Sequence, residues 1–180
     1  DWRGFGLTQW APNGYWFPDY VADLSEIINT LSKGREINLF GHSMGGFLVA
    51  EALRQLRLSG QDRVIERLEN VVLAAPDIDI DVFRRQIQTI GELNPPMTLL
   101  VSPDDRVLRL SERLAGSRRR AGTTDINDPR VQSLAAANGV RVVDISKVDT
   151  LDGTTHTKFA ALMSVIPHET LTTFASLAHA

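Results

Sequence analysis

At 180 residues with 43% hydrophobic content, the chain can bury a substantial core and fits a single domain. A formal charge of −3, with Lys, Arg, Asp and Glu intermixed, gives no broad positive field and argues against a nucleic-acid partner. Zero cysteines exclude disulfides, thiolate nucleophiles and Cys-based zinc sites; the absence of any run near the roughly 18 apolar residues of a spanning helix, or of signal-peptide features, predicts a soluble protein for which cytoplasm and periplasm both fit.

In chain order, Phe5 to Trp10 reads as a short strand, followed by the turn-rich Ala11-Pro12-Asn13-Gly14. Tyr20 to Leu31 has helical apolar spacing at Val21, Leu24, Ile27, Ile28 and Leu31, and Gly34 is placed to stop that helix. Glu36 to Phe40 predicts a strand and Gly46 to Leu58 a helix. Asn70 to Ala75, ending at Pro76, has the apolar character of a buried parallel strand. Asp79 to Ile90 is helical in pattern, Pro96 to Ser102 a strand, Val107 to Leu114 a short helix, and Val140 to Asp144 a final strand. Lys158 to Val165 and Pro167 to Ala178 are predicted to close the chain as helices. The alternation predicts an α/β fold, a mostly parallel sheet with helices on both faces. Arg118-Arg119-Arg120 is the one basic cluster and is expected to be a solvated loop.

Between the strand ending at Phe40 and the following helix lies Gly41-His42-Ser43-Met44-Gly45, a G-x-S-x-G sequence. Alone it is weak, since chance supplies it in roughly one such chain in twenty at ordinary Gly and Ser usage. The strand before and helix after remove most such accidents, and predict a serine on a strained turn whose flanking glycines let strand and helix approach.

A serine needs a base to take its proton and an acid to orient that base. His42 adjoins Ser43, so its side chain must diverge, and its expected role is packing at the turn. His156, in the loop Gly153-Thr154-Thr155-His156 after the last strand, is the preferred base; His168 opens the last helix and His179 lies in the tail. For the acid, Asp105 leads, Asp104 is second, and Asp77, following the preceding strand, is third. Asp125, Asp128, Asp149 and Asp152 read as loop and capping residues. The backbone N–H of Met44 is the expected first donor to an oxyanion. A second donor commonly comes from a His-Gly or Gly-rich loop after an earlier strand, and residues 1 to 40 contain no good fit. Four scattered histidines lack metal-ligand spacing, and Gly4 and Gly6 lack the rest of a phosphate-binding fingerprint, so neither a metal nor a nucleotide cofactor is implied.

These features resemble the alpha/beta-hydrolase superfamily, and within it the bacterial esterase/lipase-like branch catalogued as alpha/beta hydrolase of unknown function. Beyond Gly41 to Gly45, the likeness is carried by Trp10-Ala11-Pro12 through Tyr20 and Asp23, Val72 to Asp79, Phe83, and Leu100-Val101-Ser102 with Asp105 to Leu108. Arg120-Ala121-Gly122, Val143 to Ser146, and His156 before Phe159 complete the series. The resemblance implies Ser43 as nucleophile, Asp105 as acid and His156 as base. It also implies strands and an oxyanion loop ahead of residue 1, one of those strands lying between Phe5–Trp10 and Ile37–Phe40. The chain is therefore expected to be one partial hydrolase domain, a piece of a longer protein.

The activity expected is hydrolysis of a small-molecule carboxylic ester through an acyl-enzyme. Thioesters, amides and acyl transfer to another alcohol draw on the same groups. The competing expectation is a catalytically inactive, hydrolase-like binding module, motivated by the missing second oxyanion donor.

Overall fold

Apolar side chains alternate between the two faces of every strand, which divides the interior into two layers. In the computed structural model, which describes residues 3, 7–10, 13–32, 35–148 and 155–159, the strands are β1 (Ile37–His42), β2 (Leu68–Ala74), β3 (Met97–Val101) and β4 (Val140–Asp144). They form one sheet in the order β1-β2-β3-β4, all neighbours parallel. Leu39, Val71, Leu73, Leu99, Val101 and Val142 point into the larger core layer, while Phe40, Val72, Ala74, Leu100 and Val143 point into the smaller one.

The helices are α1 (Phe17–Ser32), α2 (Met44–Leu58), α3 (Asp62–Ile65), α4 (Ile80–Ile90), α5 (Arg106–Leu114) and α6 (Pro129–Ala137). Val21 and Leu24 of α1, Val49, Leu53 and Leu56 of α2, Phe83 and Ile87 of α4 and Leu134 of α6 cover the larger layer. On the opposite face the described covering comprises Ile145, Val148 and Phe159. Among the described residues no helix is long and apolar enough to cross a membrane.

Three helices start on an aspartate whose side chain accepts from their free amides: Asp79 for α4, Asp105 for α5 and Asp128, followed by Pro129, for α6. The predicted elements from Tyr20 to Asp144 form with ends shifted by a few residues. Helices α3 and α6 were not predicted, because α3 is a single turn and α6 has no fully buried residue to give its sequence an apolar stripe. Of the predicted strand Phe5 to Trp10, residues 7 to 10 are turn and irregular backbone, with Leu7 and Trp10 exposed and no neighbouring strand among the described residues to pair with. Gly34, Asp149, Asp152, the chain beyond Phe159, and with it His168 and His179, lie outside the described residues.

The basic cluster is solvated, as expected, at Arg118 and Arg119, whose side chains are 71% and 57% exposed, but not at Arg120. Arg118, Arg119 and Arg120 approach Asp79, Asp128 and Asp77 at 3.5, 4.0 and 3.0 Å, and the Arg120 side chain is only 15% exposed. It closes the end of the sheet, where Gly122 N–H donates to Pro76 O and Ser102 N–H donates to Gly122 O.

Candidate active site

Parallel strands end on one edge, and the register aligns His42 with Ala74 and Val101 with Asp144. Everything that follows those four residues is therefore gathered at the carboxyl edge of the sheet, where open α/β sheets place their ligands.

Ser43 stands between β1 and α2 with φ 53 and ψ −121, a conformation that non-glycine residues seldom adopt. Main-chain hydrogen bonds hold it there. Its N–H donates to Ala74 O at 3.0 Å, and its carbonyl accepts from Gly46 N–H at 3.0 Å and Asp77 N–H at 3.1 Å. A Cβ on Gly41 would sit 2.9 Å from the Gly45 oxygen and the Gly46 Cα. The second close approach is not at Gly45, as the motif predicts, but one residue later, where a Cβ on Gly46 would meet Pro76 at 2.9 Å; at Gly45 nothing lies within 4 Å. The reason is the helix itself, since position 46 rather than 45 faces Pro76, just beyond β2, as α2 starts. Met44 is the first residue of α2, so its N–H has no partner within the helix, and its side chain is exposed.

Asp105 is fully buried and each of its oxygens has its own task. Oδ1 accepts from the N–H groups of Val107 and Leu108 at 2.9 and 3.0 Å, which starts α5, and Oδ2 lies 2.8 Å from His156 Nδ1. A carboxylate oxygen only accepts, so Nδ1 carries the proton and the lone pair of the neutral ring is on Nε2. Among the described residues no hydrogen bond joins Ser43 Oγ to this ring; such contacts commonly tighten only with substrate bound.

The other two acid candidates are occupied elsewhere. Asp77 accepts from Ser111 Oγ at 2.9 and 3.0 Å and pairs with Arg120. Asp104 accepts from the Ser102 hydroxyl and pairs with Lys158 Nζ at 2.9 Å. Partial burial works against the charged form of Asp104, yet Ser102 and Lys158 outweigh it and hold its carboxyl below the usual carboxylate value.

His42 packs at the turn. Its ring centroid is 3.9 Å from that of Phe159 and 4.7 Å from that of His156, and its Nε2 donates to His156 O at 3.2 Å. Burial and the neighbouring His156 push its pKa below the ordinary 6.5, against the opposing influence of the His156 carbonyl and Asp105. Lys158, only 5% exposed, is the residue the sequence did not single out. A lysine at the start of a predicted helix carries no local sign of burial, and only its distance of two residues from the preferred base could have drawn notice. Among the described residues no group of three His, Asp or Glu side chains gathers as a metal site.

A parallel sheet, a strained serine between strand and helix, and a histidine–aspartate pair on later loops together define an alpha/beta hydrolase. The model of the family described as alpha/beta hydrolase of unknown function (DUF900) matches residues 19–174, and the chain belongs to that family. No curated protein and no solved structure matches it.

Proposed function

We propose that the protein is a serine hydrolase of carboxylic esters in which Ser43 is the nucleophile, His156 the base and Asp105 the acid. The observation that carries this reading is the 2.8 Å contact between His156 Nδ1 and the buried Asp105 carboxylate, at the same sheet edge as Ser43. It supports the tautomer that a general base requires, with the proton on Nδ1.

In the proposed reaction Ser43 Oγ attacks the acyl carbonyl while its proton passes to His156 Nε2. Asp105 stabilises the resulting imidazolium, and the Met44 N–H donates to the oxyanion. Collapse of the tetrahedral intermediate expels the alcohol, which takes the proton from His156. Water then repeats the sequence on the acyl-serine, with His156 as base, releasing the carboxylic acid and restoring the serine.

The test is intact-mass measurement after exposure to a fluorophosphonate, on the wild type and on Ser43→Ala, alongside turnover of short-chain nitrophenyl esters. A single adduct that Ser43→Ala lacks, with ester turnover lowered at least about 10³-fold in that variant, is the expected result. Unlabelled wild-type protein without ester turnover would favour the inactive binding module instead.

A further inference from the structure

Lysine seldom enters a protein interior, because removing an ammonium from water is costly unless its donors are met. Lys158 Nζ meets Asp104 Oδ2 at 2.9 Å, the Ser146 carbonyl at 2.6 Å and, more weakly, Ser102 Oγ at 3.5 Å. Ser102 and Asp104 belong to the loop after β3, and Ser146 to the loop after β4. One side chain thus ties two strand ends to the turn that presents His156.

The placement forms two adjacent rungs. Asp105 holds His156, and its neighbour Asp104 holds Lys158 two residues further along. The first rung fixes one atom of the imidazole, and His42 holds the His156 carbonyl and one face of the ring, but neither ties the backbone after the ring to the loop after β4. The second fixes the backbone that carries the ring and so sets the direction in which Nε2 points. Phe159 adds an apolar contact to the same turn, stacking on His42 and, at 5.5 Å between centroids, on Phe40.

We propose that Lys158, clamped by Asp104 and Ser146, is a positioning residue that aims His156 at Ser43. This rests on the role given to His156 above, but its test does not depend on ester turnover. In protein labelled with ¹⁵N-histidine, the His156 Nδ1 proton is expected as a downfield resonance protected from water, identified by its loss in His156→Gln. Lys158→Met keeps most of the buried stem and removes the donors. Asp104→Ala, at a side chain 50% exposed, breaks the same rung without removing buried bulk.

The expected result is that both variants keep a cooperative thermal transition while the resonance broadens or disappears, and that phosphonate labelling of Ser43 slows by up to about 10²-fold. An unchanged resonance in both variants, or no protected Nδ1 proton in the wild type, would overturn the proposal. Global unfolding of both variants would overturn it too, making Lys158 a structural anchor only. A protected proton lost in both variants, in a protein that never reacts with the phosphonate, would support the clamp and defeat the hydrolase assignment.

Discussion

The serine turn and the histidine turn meet at one sheet edge but are held in opposite ways. Ser43 is fixed by main chain: a strained φ, three backbone hydrogen bonds, and two glycines against which strand, helix and Pro76 close. His156 is fixed by side chains: the distant Asp105 on its ring and His42 on its carbonyl and face, and the nearby Lys158 and Phe159, which are anchored in turn to Asp104, Ser146 and His42. The first arrangement fails only if backbone packing fails. The second can lose its aim one contact at a time while the fold persists.

The largest test of that contrast is Asp105→Asn. The asparagine oxygen can still accept from Val107 and Leu108, so α5 should start as before, but the amide nitrogen facing His156 would require an acceptor at Nδ1 and move the ring proton to Nε2. Ester turnover is expected to fall about 10⁴-fold with little change in the thermal midpoint; a fall of less than tenfold would mean that Asp105 does not orient the base. Next, Gly46→Val forces a branched side chain against Pro76 and should lower the unfolding free energy by about 1–3 kcal/mol, read from the urea midpoint. An unchanged midpoint would show that the serine turn is less tightly packed than the comparison requires.

Ser43→Gly should act in the opposite sense on stability, relieving the positive φ and stabilising by about 1 kcal/mol while removing the proposed nucleophile. A lower thermal midpoint would refute the strain. The smallest effect concerns pH. Because His42 has a folded pKa below 6.5, the unfolded chain binds its proton more readily. The contribution of His42 is therefore intact above pH 6.5 and is lost as pH falls toward the folded value. Replacing His42 with Phe, which keeps a ring against Phe159, should flatten the stability profile below pH 6.5, and an equally steep profile in the variant would assign the loss to other groups.

The same contrast explains what could be read from sequence. The serine turn was legible because strand, glycines, serine and helix are contiguous and each obeys a local rule. Strands β2 and β3 were legible as short apolar runs. Asp105 and His156 are 51 positions apart, and only the order of strands and the resemblance to a family brought them together. The clamp on Lys158 was not legible, since Lys158 reads only as the start of a helix and Asp104 only as a second acid, and nothing local joins either to Ser146. Helix α6 was missed for want of an apolar stripe, and residues 7 to 10, read as part of a strand, are turn and irregular backbone.

Because Asp105 shares its charge between the imidazole and two main-chain amides, the start of α5 is chemically wired to the histidine. If the ring gains a proton, the negative charge of the carboxylate is drawn toward Oδ2, and its pull on the Val107 and Leu108 amides through Oδ1 is expected to slacken. Those two amides are therefore the backbone signals expected to respond, by chemical shift, to any change at the ring, in a protein with no substrate or dye attached.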